Sequence, residues 1–146
     1  MIELCTIGFT GTSAANFFNR LRRAKIERLI DVRLNNVSQL AGFAKKNDLE
    51  FFLREICGAD YVHELRLAPR NEDLQAVRGR KMSWEEYEVA YAALLRERQV
   101  ESTLDRSVFE KRCVLLCSEA KPAHCHRRVA AEYLRDRWGG VTITHL

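Results

Sequence analysis

Cys117, Glu119, His124, Cys125, His126, Arg127 and Arg128 fall within one stretch, "CSEAKPAHCHRR", directly behind the apolar run "CVLLC". The mixture offers thiolates as nucleophiles, a carboxylate and imidazoles for proton transfer near neutral pH, and guanidinium groups that grip an anion through two parallel hydrogen bonds. Two other apolar runs end the same way. "TIGFT" carries Thr6, Gly8 and Thr10, and "DVR" sets a carboxylate, Asp31, two residues before a guanidinium, Arg33.

Spacing decides which chemistries fit. A cysteine phosphatase or sulfurtransferase loop closes a cradle with arginine six residues beyond its thiolate, but Ala123 stands there after Cys117 and Ala131 after Cys125. A serine hydrolase would show a G-x-S-x-G elbow, which is missing. Cys117, His124, Cys125 and His126 are zinc-type ligands, yet no C-x-x-C pair exists and adjacent residues rarely converge on one ion. Neither a metal nor any other cofactor is therefore expected. Cys125 near the first turn of a helix would have its thiolate favoured by the dipole and by arginine, or would simply pack as a small buried thiol.

These groups need elements to hold them. Residues 2–8 read as a buried strand broken by Gly8 and Gly11, and Ser13 caps a helix over about 14–25. A strand follows over 28–33, then a helix capped by Asp48 and closed by Gly58, and a strand over 60–65. Residues 66–81 read as a long basic loop near the site. "SWEE" is a capping box opening a helix to about Arg98. After a short helical connection, "CVLLC" is the fourth strand, Pro122 suits the first turn of a last helix to about Trp138, and "VTITHL" is the fifth strand.

Strand and helix alternate, which implies a single α/β domain over 1–146: three layers, a mostly parallel five-stranded sheet and helices on both faces. The expected strand order is 3-2-1-4-5, with a switch point between strands 1 and 4. Ligands of such sheets settle at the strands' C-terminal edge. That edge would collect the polar ends of strands 1, 2 and 4, with Asp31 and Arg33 on one face and Cys117 and Glu119 likewise. The Asp31–Arg33 pair is then either a structural ion pair or part of the chemistry.

Composition bounds the rest. The 47% apolar and 30% charged content suits a globular chain able to bury a core, and no run approaches the roughly 18 apolar residues of a bilayer span. "MIELCTIGF" lacks a basic n-region, so a cytoplasmic protein with no membrane partner is expected. The five cysteines would then be free thiols rather than a disulfide set. The net charge of +4 favours anionic partners without demanding nucleic acid, and the excess is concentrated in residues 20–28 and 66–81. Oligomeric state is not legible.

Together "TIGFT", "DVR", "LLCSE" and "CHR", in this order, resemble the family catalogued as domain of unknown function 488, across nearly the whole chain. The resemblance nominates Thr6, Ile7 and Gly8; Asp31, Val32 and Arg33; Cys117 and Glu119; and Cys125, His126 and Arg127. "YVHEL" adds His63. Thr10 replaces the family's usual serine and keeps a hydroxyl. After "DVR" the family's proline, serine and arginine give way to a segment in which Asn36 and Gln39 flank Val37 and Ser38. The resemblance implies a fold and a site but names no reaction.

The leading expectation is an enzyme, a hydrolase or transferase, acting on a phosphate-bearing substrate such as a nucleotide or nucleic acid. Glu119 and Asp31 would share acid–base work, His126 would shuttle a proton, and Thr6, Gly8, Thr10, Arg33 and Arg127 would hold the anion. One alternative is a non-catalytic nucleic-acid-binding module using the basic segments. The other is a thiol-dependent enzyme or redox sensor using Cys125, resolved by Cys117.

Overall fold

The run Cys113–Cys117 is buried at every position, which an apolar strand tolerates only when both sheet faces are covered. In the computed structural model, which describes residues 1–36, 42–118 and 124–146, this strand is the middle one of five. The strands are β1 (Ile2–Gly8), β2 (Arg28–Asp31), β3 (Asp60–His63), β4 (Cys113–Cys117) and β5 (Val141–His145), and every pairing is parallel. Their order is β3-β2-β4-β1-β5.

The α/β fold with helices on both faces is as expected, but the order is corrected: β1 and β4 exchange places. The crossovers from β1 to β2 and from β4 to β5 each pass over one strand, so β4 slots between β2 and β1. The consequence for the site is direct. The polar ends of strands 1, 2 and 4 belong to three adjacent strands, with the end of β4 in the middle.

Among the described residues six helices cover the sheet: α1 (Ala14–Arg23), α2 (Lys46–Phe52, continued by a π turn over Leu53–Cys57), α3 (Asn71–Arg78), α4 (Trp84–Glu97), α5 (Val100–Thr103) and α6 (His126–Trp138). On one face Phe17, Phe18 and Leu21 of α1 join Leu49 and Leu53 against Cys5, Ile7, Leu29, Val114 and Leu116. On the other, Tyr91, Leu94 and Leu95 of α4 and Val129, Ala130 and Leu134 of α6 pack on Leu4, Ile30, Leu115 and Cys117. Each fully buried leucine or phenylalanine stabilises such a core by about 1.5–3 kcal/mol.

Local signals account for most element ends. Ser13 Oγ accepts from Asn16 N at 3.1 Å, and Ser83 and Glu86 form the reciprocal capping box. Gly58 takes the left-handed conformation that closes the π turn, φ 62°. Two expectations are corrected. Asp48 is not a cap: the helix begins earlier, after Lys45, and Asp48 lies in its first turn, where a carboxylate still favours the dipole. The segment 66–81 is no irregular loop, because it holds α3, with Glu72 and Asp73 in its first turn and Arg78 in its last. Pro122 lies outside the described residues, and α6 begins at His126 with Cys125 as its N-cap. Among the described residues no helix is long and apolar enough to cross a membrane.

Candidate functional site

Side-chain alternation divides the edge into two clusters. Along β2, Ile30 and Val32 point toward α4 and α6, while Leu29 points toward α1 and α2, so Asp31 and Arg33 belong with the α1/α2 face. Asp31 is fully buried and saturated. Its Oδ1 accepts from Arg33 N at 3.1 Å and Nε at 2.8 Å, and its Oδ2 accepts from an Arg33 terminal nitrogen at 2.8 Å and from the Tyr61 hydroxyl at 2.6 Å.

The network continues outward from Tyr61. Asn36 Nδ2 donates to Tyr61 Oη at 3.0 Å and to His63 Nδ1 at 3.1 Å, and His63 Nε2 donates to the Arg33 carbonyl at 2.7 Å. A carbonyl oxygen only accepts, so Nε2 carries the His63 proton. Burial pushes the Tyr61 phenol far above its usual range, with the neighbouring Asp31 carboxylate adding to the effect. The tyrosine therefore stays a donor. The Arg33 guanidinium lies 5.3 Å from the centre of the Phe9 ring, and its second terminal nitrogen is buried with no hydrogen-bond partner among the described residues.

The second cluster faces α4 and α6. The sulfurs of Cys117, at the end of β4, and Cys125, the N-cap of α6, are joined as a disulfide, with Cα atoms 7.2 Å apart. That corrects the expectation of five free thiols. Cys5, Cys57 and Cys113 remain free, and burial raises their pKa values, to about 12 for Cys113, so they are ordinary packed thiols. The fully buried Arg127 donates to Cys117 Sγ at 3.3 Å.

His126 Nε2 donates to the Val32 carbonyl at 2.9 Å, and its ring meets Tyr91 edge-on at 5.2 Å. Burial, aided by the positive charge of Arg127, lowers its pKa to about 4, although the bond to Val32 opposes the shift. These surroundings favour the neutral imidazole. A ring nitrogen of His126 and both sulfurs lie within 4.8 Å of one another.

Two clefts open beside this second cluster. The larger, about 310 Å³, has Trp84 and Tyr87 of α4, Cys117, Ser118, His124, Cys125 and His126 in its wall, with the Trp84 and His124 rings 5.5 Å apart. A smaller one, about 140 Å³, is bounded by Arg33, Asn35, Arg78, Ser118 and His126. Leu74, Arg78, Ser118 and His126 line both, so the two are neighbours. Arg78 is exposed and makes no ion pair among the described residues.

The predicted residues separate accordingly. Cys117, Cys125, His126 and Arg127 come together, and Arg33, of the other cluster, lines the smaller cleft. Asp31 lines neither cleft. Glu119 lies outside the described residues. The hydroxyl–glycine set makes internal contacts: Thr6 Oγ1 bonds His145 Nδ1 at 2.6 Å, Thr10 Oγ1 donates to the Ser118 carbonyl at 2.5 Å, and Gly8 pairs with Cys117 across the sheet. Basic side chains of the two charged segments are partly spent internally, Arg20 on the Leu146 carbonyl, Arg28 on Asp60 and Arg70 on Glu97.

Sequence reasoning missed Tyr61, Asn36, Arg78 and Trp84. The alternation of Tyr61 and His63 along β3 marked a polar pair on one face, and the acidic start of α3 marked Arg78 as a helix-terminal residue rather than a loop charge. No curated protein and no solved structure matches this chain. A family profile does match, over residues 13–134 of 146, a span that holds both clusters. The chain thus belongs to the family described as Domain of unknown function DUF488.

Proposed function

We propose that the protein is an enzyme that takes a phosphate-bearing substrate, a nucleotide or a nucleic-acid end, into the paired clefts at the C-terminal edge of the sheet. The observation that carries this reading is that two arginines, Arg33 and Arg78, line one small cavity. Among the described residues Arg78 has no acidic partner, and one buried Arg33 nitrogen has no hydrogen-bond partner although Asp31 orients the rest of the group. An oriented arginine loses little entropy on binding an anion. The adjacent Trp84 and His124 rings offer a stacking surface for a base.

Within this reading Asp31 positions Arg33 instead of moving protons, and the acid–base role falls to Glu119, on the sequence alone. Internal use of Arg20, Arg28 and Arg70 favours a local anion site over an extended polyanion-binding face. Calorimetric titration with inorganic phosphate and nucleoside monophosphates tests the binding step. Arg78→Glu should reduce affinity by at least about tenfold, one 1.4 kcal/mol step. Wild-type protein that binds none of these anions at low salt would overturn the reading. A hydrolysis screen comparing wild type with Glu119→Gln then addresses the chemistry.

The contact between Cys117 and Cys125 favours a second reading, a thiol-dependent enzyme or redox sensor. Reduced protein should then alkylate at Cys125 faster than at Cys5, Cys57 or Cys113. Equal, slow alkylation of all five would end that reading.

A further inference from the structure

We propose that Cys117, Cys125 and His126, once both thiols are reduced, form a binding site for one borderline-soft divalent ion of the zinc class, with its fourth position open to the larger cleft. The inference does not depend on the phosphate reading. It starts from convergence: the end of β4 and the first turn of α6 bring two sulfurs and one ring nitrogen within 4.8 Å of one another, all from buried residues. Ligand distances of about 2.0–2.3 Å put tetrahedral donors roughly 3.3–3.8 Å apart, so once the disulfide is reduced side-chain rotations that part the sulfurs and bring in the ring nitrogen complete the set.

Four further observations point to an ion rather than to packing. First, the Nε2 proton of His126 is committed to the Val32 carbonyl, which fixes the tautomer and leaves the Nδ1 lone pair as donor. A histidine ligand held by a carbonyl in this way is the usual supporting arrangement around zinc. Second, two thiolates and a neutral imidazole cancel a divalent charge, so filling the site leaves no net charge from ion and ligands in the buried pocket. Third, the Arg127 hydrogen bond to Cys117 Sγ supports the thiolate state that a metal needs.

Fourth, the Cα separation of Cys117 and Cys125, 7.2 Å, exceeds the roughly 4.4–6.8 Å of most disulfides, so after reduction the two thiolates can part to the spacing that two ligands of one ion need. Because Cys117, Cys125 and His126 all line the larger cleft, a fourth ligand, water or a substrate oxygen, can enter from it. Three protein ligands with one open position are the pattern of zinc sites that do chemistry. Local spacing alone argues against a metal; the placement of Cys117 at the end of β4 beside Cys125 and His126 at the start of α6 is what supports one.

The test is a cobalt(II) titration of the reduced full-length chain, in phosphate-free buffer, followed by absorption. One ion per chain, with thiolate-to-cobalt charge-transfer and tetrahedral ligand-field bands displaced by zinc, is the expected result. The same protein oxidised with diamide should lose the bands. Cys117→Ser and Cys125→Ser should each weaken binding by about tenfold or more, as should His126→Gln, whose amide can still donate to Val32. Melting curves in chelator identify variants that fold. Reduced wild type that shows no bands, or only octahedral bands without charge transfer, would overturn the proposal. So would equal binding by the oxidised protein. A failed phosphate titration leaves this result untouched, since cobalt reports the sulfurs directly.

Discussion

Around Asp31 both carboxylate oxygens, the Tyr61 hydroxyl, the Asn36 amide and both nitrogens of His63 are occupied by one another, and Asp31 meets neither cleft. Around Cys117 the same sheet edge presents sulfurs, an imidazole and, nearby, the exposed Arg78 to open cavities. Both clusters come from motifs that look equally chemical in the sequence. A buried polar network with its partners in place rigidifies the fold and has little left to offer a ligand, whereas groups lining a cleft keep theirs. Arg33 is the one residue that belongs to both, its side chain held by Asp31 while the residue lines the smaller cleft.

Removing Asp31 should have the largest effect. Asp31→Ala leaves a buried guanidinium without its counter-charge, and urea unfolding should show a loss of about 3–5 kcal/mol. A loss under about 1 kcal/mol would mean that the cluster is not the closed scaffold described. The open cluster has its own signature in acid. His126 has a folded pKa of about 4 against an ordinary 6.5, so its neutral form is the one the fold favours. Its contribution is fully present above pH 6.5 and is lost as pH falls from there toward 4, by up to about 3 kcal/mol. In metal-free protein His126→Gln should flatten that part of the pH–stability profile.

Tyr61→Phe comes next. It removes a charge-assisted donor from Asp31 and an acceptor from Asn36, for an expected loss of about 1.5–3 kcal/mol by the same unfolding measurement, with phosphate affinity changed far less than in Arg78→Glu. Arg78→Ala should have the smallest effect on stability, within about 0.5 kcal/mol, because the side chain is exposed and unpaired among the described residues. The opposite ranking, Arg78 costly and Tyr61 neutral, would reverse the assignment of scaffold and site.

Much of this was legible beforehand, for identifiable reasons. The unbroken apolar run of β4 required two covered faces, and the caps at Ser13, Ser83 and Gly58 are written in local sequence. Strand order was not legible, since β1 and β4 are both largely buried and periodicity does not say which neighbour a crossover skips. The division of the edge was hidden for the same reason. Alternation places Asp31 and Arg33 on a common face, but only the packed sheet shows that this face opposes that of Cys117. Local spacing likewise concealed the meeting of Cys117, Cys125 and His126, which depends on how the end of β4 and the start of α6 are placed in the fold.

The most direct test of the open-site assignment is a crystal structure of the protein grown in phosphate, together with that of Arg78→Glu. The account expects phosphate in the smaller cleft between Arg33 and Arg78, near Ser118 and His126, in the wild type and none in the variant. A wild-type cleft without phosphate, or phosphate bound elsewhere and unaffected by Arg78→Glu, would contradict it.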